Sequence, residues 1–391
     1  MGNWWVKPIA IATLVLLVCV PLTGQEKVVD TPSKPQYVAN PTHVAITRKA
    51  IELINIPEAL QYKDYVIAGS FNEDYEKESG VWGEHTEGSY NPNQKVPYGL
   101  PELSGVYRGY KHGYNPMTGA PWPGQNVTPG FTTVEWANAS LQFNAFTWQM
   151  AIAFYKTWRK TGNTTAIKYA YECLGHVLHL LEDLSVPSHV HVIDHGLNLA
   201  GNKIIIDWYE HILAKDSYAS TFDDHLARAS ISNVPNFDNY ATYFQDLATR
   251  TYNTNAGSWY IDGAAFGQYA DGQGNPLAVT EIALADPDYP EASALRQILL
   301  QWFTEIKFYK SPPMPQGVVD SYASALVPLS VEYVAGVIRL FYESVNGPFF
   351  DPSPADYVTR LIPDDPSSVG QRTPLILIHG VHGNKQADGT D

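Results

Sequence analysis

The sequence predicts an all-α domain with long loops. Several stretches place apolar residues at helical spacing, and no comparable series of strand-like segments occurs before residue 370. Between the helical stretches lie segments rich in Gly, Pro, Tyr and Asn, which are typical of loops. The chain has 391 residues, of which 45% are hydrophobic and 17% charged. This composition is that of a globular protein with a sizeable core.

The first 24 residues predict an export signal. Lys7 precedes the short apolar run "IAIATLVLLVCVPLTG", and Leu22-Thr23-Gly24 is a tolerable cleavage site. An uncleaved anchor is the alternative. We therefore expect a protein that is secreted, periplasmic or held at the cell surface. Of the two cysteines, Cys19 lies in the signal, so the exported chain should contain no internal disulfide.

The first helix should follow a polar lead-in over residues 25–40. The stretch "NPTHVAITRKAIELI" has apolar residues at helical spacing, and Thr42 is a plausible N-cap. Residues 62–135 are rich in Gly, Pro, Tyr and Asn, and we interpret them as long loops.

Two strong helices come next. The first, "SLQFNAFTWQMAIAFYKTWRKTGN", should stop at Gly162-Asn163. The second, "TTAIKYAYECLGHVLHLLEDLSV", has Thr164 or Thr165 as its N-cap and should be ended by Pro187.

Three more helices complete the predicted domain. One covers roughly residues 203–214, and two later ones are "PEASALRQILLQWFTEIKFYK" and "SVEYVAGVIRLFYESVNG". Residues 347–372 are rich in Pro and Asp and predict a linker. After it, "PLILIHGVHGN" contains a fully apolar run of strand length.

One short segment, "HLLEDLSVPSH", contains three side chains of the type that bind metals. His179 and Asp183 are four residues apart, so they share one helix face. Pro187 ends the helix, and the chain after it can fold His189 back towards that face. Three such side chains at one helix end suit zinc. The alternative is a helix with His and Asp on its surface, which the many leucines of this helix disfavour.

With three further segments, this motif resembles the zinc-dependent phospholipase C family, which shares its fold with the S1/P1 nucleases. "THVAITRKAIELI" is similar to the family's first helix with its His, and "GSFNEDYE" with "HTEGSYNP" to its Asp loop and following His. "HLLEDLSVPSH" is similar to the signature His-x-x-x-Asp-x-x-x-Pro-x-His, and "YVAGVIRLFYESVNG" to the closing helix. The resemblance covers residues 40–346 and implies a multi-helix domain over residues 25–346.

The resemblance also implies a cluster of two or three zinc ions. The ligands implied for the first ion are His179, Asp183, His85 and Asp74. Asp183 would bridge to a further ion that His43 also holds.

His189 would begin the remaining site, which the family completes with a His and an acid four residues later. The sequence departs from that pattern, because Lys203 stands four residues before Asp207. The favoured completion is His195 with Glu210, and Asp207 is the alternative acid.

The implied activity is hydrolysis of phospholipid phosphodiesters by zinc-activated water. Zinc neutralises charge on phosphoryl oxygens and lowers the pKa of bound water to roughly 7. Asp74 is the implied catalytic residue, because it would orient that water as well as bind metal. The aromatic-rich loop 107–136 is either a headgroup or acyl pocket or a packed surface loop.

Two other functions stay open. The first is an S1/P1-like single-strand nuclease, which the formal net charge of -15 disfavours because nucleic acid is anionic. The second is a non-catalytic zinc-stabilised module. The expected substrate is a phospholipid or another phosphodiester. Contact with a membrane surface is compatible with such a substrate. No protein partner is indicated.

The C-terminal segment bears on this choice. Residues 373–391 resemble the first strand and the oxyanion-hole His-Gly of α/β-hydrolase lipases, so they are interpreted as the truncated start of such a domain. An unrelated apolar strand is the alternative. A lipase-like neighbour would favour lipid as the substrate, by analogy only.

Overall fold

The computed structural model describes most of the predicted helical domain. The described residues are 40–73, 111–121, 132–139, 144, 146–193, 196–198, 203–254, 259–260, 269–271, 273, 275–283 and 307–347. All of them belong to the unit Pro35–Asp391. Helices account for 66% of them, so the prediction of a mainly helical protein is confirmed for this part of the chain. The predicted signal, the linker after residue 347 and the lipase-like segment lie outside the described residues.

Eleven α-helices lie in the described segments. In chain order they are α1 Asn40–Ile54, α2 Pro57–Gln61, α3 Lys63–Asn72, α4 Thr133–Trp136, α5 Trp148–Thr161, α6 Thr164–Asp183, α7 Pro187–Val190, α8 Trp208–Leu213, α9 Ala219–Leu226, α10 Tyr240–Asn253 and α11 Gln316–Asn346. Helix α1 matches its predicted stretch, but it begins at Asn40, so Thr42 lies inside the first turn and is not the N-cap.

Helix α6 is the centre of the core. Every residue from Ala170 to Asp183 is buried, so the helix has neighbours on all sides. Its N-cap is Asn163, whose side chain accepts from the Thr165 backbone N–H, and not one of the two predicted threonines. The preceding helix α5 stops where the sequence predicts. Its C-cap is Gly162, which has a left-handed φ of 71°.

The chain turns sharply after α6. The helix ends at Asp183, and Val186 is extended, as the residue before a proline usually is. Pro187 then begins the one-turn helix α7, which contains the buried His189. The predicted break at Pro187 is therefore confirmed, although the helix ends a few residues earlier than expected.

Helices α3 and α6 approach each other unusually closely through two glycines. A Cβ on Gly175 would lie 2.1 Å from the Val66 carbonyl oxygen, and one on Gly69 would lie 2.0 Å from the Glu172 carbonyl oxygen. Only glycine leaves room for two helix backbones at this distance. The contact sets Ser70 and Glu73, at the end of α3, directly beside the histidines of α6.

Helix α11 closes the core from the other side. It packs against α1, α6, α9 and α10, and it contains the predicted stretch "SVEYVAGVIRLFYESVNG". Its length and apolar composition would also suit a membrane span. The core helix of a soluble protein can have the same length and composition, and 72% of the most apolar 18-residue window of α11 is buried.

A small four-stranded sheet was not predicted. Its order is β1-β2-β6-β5, formed by Gly196–Asn198, Lys203–Ile206, Lys307–Lys310 and Thr280–Glu281. Strands β2 and β6 are parallel, and both outer pairs are antiparallel. A separate two-stranded pair joins β3 (Tyr269–Ala270) to β4 (Pro276–Leu277). Strand β2 leads straight into α8, and Ser311 Oγ accepts from the Trp208 backbone N–H at 2.7 Å, which anchors the start of that helix.

Four sequence predictions are corrected by these elements. The helix expected over residues 203–214 is strand β2 followed by α8, because the isoleucines after Lys203 pair with strands on both sides. The stretch "PEASALRQILLQWFTEIKFYK" ends in strand β6, and its earlier residues lie outside the described part. Helix α3 lies within the expected loop region 62–135, and helix α4 begins inside it. The helix predicted to begin at Ser140 begins at Trp148, after the N-cap Thr147.

Candidate metal centre

Three ligand-type side chains meet at the end of α6. They are His179 and Asp183 from α6 and His43 from α1, all buried, and one ligand atom of each lies within 4.8 Å of the other two. His179 Nε2 is 3.4 Å from Asp183 Oδ2, and His43 Nε2 is 3.4 Å from Asp183 Oδ1. Two ligands that are each about 2.1 Å from a tetrahedral ion lie about 3.4 Å apart. The spacing therefore fits a shared zinc ion better than it fits direct hydrogen bonds.

The two histidine rings lie face to face. Their centroids are 4.0 Å apart with an interplanar angle of 20°. Both rings direct Nε2 towards the Asp183 carboxylate. Two imidazolium cations at this distance would repel each other strongly. A histidine must give up its second proton to bind a metal ion, so a cation shared by the two rings would take the place of those protons.

Backbone and side-chain acceptors hold the other nitrogen of each ring. His179 Nδ1 donates to the Ser70 carbonyl oxygen at 2.7 Å, and His43 Nδ1 lies 2.7 Å from Glu182 Oε2. A carbonyl oxygen can only accept, so the proton of a neutral His179 is on Nδ1 and its lone pair is on Nε2, facing Asp183. A nitrogen lone pair and a carboxylate repel each other unless a cation lies between them. In metal-bound histidine, too, one ring nitrogen donates a hydrogen bond and the other faces the metal.

A fourth side chain, His112, was missed by the sequence reasoning. It lies in the described loop 111–121 and is buried, with Nδ1 2.8 Å from Asp183 Oδ2. Its Nε2 is 3.7 Å from Glu73 Oε1. Burial alone lowers the pKa of His112, but the Asp183 and Glu73 carboxylates more than offset this and raise it to about 9. The sequence signal was weak, because a single His in a Gly- and Tyr-rich loop has no periodicity to single it out.

Asp183 lies at the middle of this group. Burial opposes its ionisation, but the positive fields of His179, His189 and His112 hold its pKa well below its usual range. Asp183 is thus an anion in a fully buried position, with a histidine facing each of its oxygens. This is the geometry that a carboxylate needs in order to bridge two cations.

His189 and Glu210 form a second, adjacent pair. His189 Nε2 is 3.1 Å from Glu210 Oε1, and His189 Nδ1 donates to the His112 carbonyl oxygen at 3.0 Å. The alternative acid, Asp207, is used differently: its Oδ1 accepts from the backbone N–H groups of Tyr209 and Glu210 as the N-cap of α8. Of the two acids, the structure brings Glu210 to His189.

An outer layer of buried polar groups surrounds the centre. Glu73 accepts from Trp136 Nε1 at 3.3 Å and lies 2.5 Å from His176 Nδ1. Glu182 accepts from Thr47 Oγ1 at 2.5 Å. The sequence motifs single out none of Glu73, His176 and Glu182. Their contacts join positions more than 100 residues apart, so no local pattern reveals them.

Three of the predicted ligands lie outside the described residues: Asp74, His85 and His195. Their part in the first and the remaining site stays a prediction. Within the described segments, the centre brings together His43, His179 and Asp183, with His112 and the His189–Glu210 pair beside them.

The sequence matches no protein-family model, and no curated protein is significantly similar to it. The resemblance to the zinc-dependent phospholipase C family therefore rests on the quoted motifs alone.

Proposed function

We propose that this chain is a secreted, zinc-dependent phosphodiesterase of the phospholipase C type. The observation that carries the proposal is the buried His43–His179–Asp183 group, in which both histidines direct Nε2 towards one carboxylate at 3.4 Å. Such a group is costly to bury unless a cation is shared between its members. Its donor set, imidazole nitrogen with carboxylate oxygen, suits zinc.

Each group of the chain has a proposed part. His43, His179 and Asp183 hold zinc, His112 completes the Oδ2 side of Asp183, and the His189–Glu210 pair begins a neighbouring position. Two or three ions are proposed in all. When bound, zinc supplies positive charge for phosphoryl oxygens and a water of lowered pKa. Asp74, the residue after the buried Glu73, is proposed to orient that water.

Phospholipid is the proposed substrate class. A single-strand nuclease needs a basic track for the phosphate backbone. This chain has 25 Lys and Arg against 40 Asp and Glu, so its overall field repels a polyanion. The fold is proposed to be that of the phospholipase C/P1 nuclease group, and export by the N-terminal signal is part of the same proposal.

One experiment tests the function. The purified protein is analysed for bound metal and assayed, with and without added zinc, on phosphatidylcholine vesicles and on single-stranded DNA. Bound zinc with zinc-dependent release of the phosphorylated headgroup is the expected result. Preferential cleavage of DNA would favour the nuclease, and bound zinc with neither activity would favour the non-catalytic module. A protein that binds no zinc would contradict the proposal entirely.

A further inference from the structure

Glu182 is a buried carboxylate directly next to Asp183, yet it makes a different set of contacts. Its side chain is completely buried. Oε2 lies 2.7 Å from His43 Nδ1 and accepts from Ser70 Oγ at 3.3 Å. Oε1 accepts from Thr47 Oγ1 at 2.5 Å. Its partners come from α1 and α3, so the carboxylate joins these two helices to α6.

These contacts keep Glu182 from acting as a ligand itself. A buried carboxylate is tolerated only where protein donors compensate the lost hydration, and Glu182 has three of them. Both of its oxygens are engaged by protein groups. Asp183, in contrast, directs its oxygens at His43 Nε2, His179 Nε2 and His112 Nδ1.

The two consecutive acids therefore contact opposite nitrogens of one imidazole. Glu182 lies at hydrogen-bond distance from His43 Nδ1, whereas Asp183 lies 3.4 Å from His43 Nε2. A hydrogen bond from Nδ1–H to a carboxylate fixes the ring plane, selects the tautomer with its lone pair on Nε2, and makes that lone pair more basic.

We propose that Glu182 is the positioning residue of the zinc centre, which orients His43 and strengthens it as a ligand, with Thr47 and Ser70 holding the carboxylate in place. The inference rests on the proposed function only in that it requires the centre to bind zinc, whatever the substrate. Loss of a carboxylate behind a metal-bound histidine typically lowers metal affinity about 10- to 100-fold.

The test measures metal affinity and not only activity. Zinc and cobalt are titrated into the metal-free forms of the wild type, Glu182→Gln and Thr47→Val, with cobalt absorption reporting ligand geometry. Glu182→Gln keeps the shape but removes the charge, so we expect affinity about 10- to 100-fold weaker and an altered cobalt spectrum. Thr47→Val removes one donor to Glu182 without touching His43, and a smaller weakening in the same direction is expected.

Glu332→Gln is the matched control. Glu332 is also a buried carboxylate on a helix, and its Oε1 accepts from the Ser230 backbone N–H and from Asn233 Nδ2. A glutamine keeps that acceptor, so the control should bind metal as the wild type does. The defect expected in Glu182→Gln is weaker zinc binding. Saturating zinc should therefore restore its turnover to near the wild-type value, which a merely structural defect would not allow.

The outcomes separate the two proposals. Wild-type affinity in Glu182→Gln would overturn the positioning role, and if that variant does not fold, wild-type affinity in a folded Thr47→Val would do the same. A wild type that binds zinc but hydrolyses no phosphodiester contradicts the proposed activity and leaves the role of Glu182 intact.

Discussion

At the scale of single residues, each oxygen of Asp183 faces a different histidine. Oδ1 is 3.4 Å from His43 Nε2, and Oδ2 is 3.4 Å from His179 Nε2. An asparagine has the same shape but only one acceptor oxygen and no charge, so it cannot bridge two cations.

We expect Asp183→Asn to lose at least one zinc and most phosphodiesterase activity while its helices remain. Bound metal supplies several kcal/mol of transition-state stabilisation, so a loss of about 3–4 kcal/mol corresponds to a rate roughly 10²–10³-fold lower. Metal analysis, turnover and far-UV circular dichroism on the same preparation check it. Full metal content with wild-type turnover would mean that Asp183 does not bridge ions in this protein.

Glu210 and Asp207 make a second prediction at this scale. Glu210→Gln removes the carboxylate that lies 3.1 Å from His189 Nε2 and should weaken the neighbouring metal position. Asp207→Asn should cost much less, because asparagine is as good an N-cap as aspartate. Zinc content and activity of the two variants, measured side by side, test the assignment. An equal loss in Asp207→Asn would shift the second-site acid to that residue.

The parts of the centre differ in how far sequence could predict them. His179 and Asp183 were predictable because one helical turn separates them, and His189 because a proline follows the helix. Nothing local singles out His112, which reaches Asp183 from a loop 71 positions upstream by residue number. Glu182 has the same limitation, since its contact with His43 joins residues 139 positions apart.

At the scale of elements, predictability followed burial pattern. Helices α5 and α6 begin at caps and have apolar spacing, and both were predicted. Helix α3 was missed because its residues from Val66 to Asn72 are all buried, so no polar face marks the helical period. Strands β2 and β6 were misread as helix because they pair in parallel across about 100 residues, and short apolar runs cannot be assigned by periodicity alone.

The α3–α6 contact carries the prediction for this scale. Gly175→Ala would set a methyl group 2.1 Å from the Val66 carbonyl oxygen, so the helices must move apart. We expect a loss of about 1–3 kcal/mol in the free energy of unfolding, with weaker zinc binding because Ser70 moves away from His179.

Urea unfolding and a zinc titration measure both effects. The control is Gly317→Ala, at the start of α11, where an added Cβ meets nothing within 4 Å. In a helix, that change should be neutral or stabilising by about 0.5–1 kcal/mol. Equal stability of the two variants would show that the glycine contact does not set the helix spacing.

At the scale of the whole molecule, the centre gathers groups from separate parts of the chain. His43 belongs to α1, His179 and Asp183 to α6, His189 to α7 and Glu210 to α8. No disulfide joins these segments within the described residues, because Cys173 is the single cysteine among them. An ion that holds them together would cross-link the folded state and would be lost on unfolding.

Removal of zinc should therefore lower stability and activity together. A ligand present at about 1,000 times its Kd stabilises the folded state by about 4 kcal/mol. At about 2–4 °C per kcal/mol, that corresponds to a Tm shift on the order of 10 °C, more if several ions bind. Scanning calorimetry before and after complete chelation, with zinc added back, measures this shift in Tm.

Asp183→Asn is the control: a variant with less bound metal should lose less stability on chelation. Acidification should mimic the chelator, since protons compete with zinc for the histidines. If the wild type melts at the same temperature with its zinc fully removed, the metal does not cross-link these helices, and the stability of the domain comes from its apolar core alone.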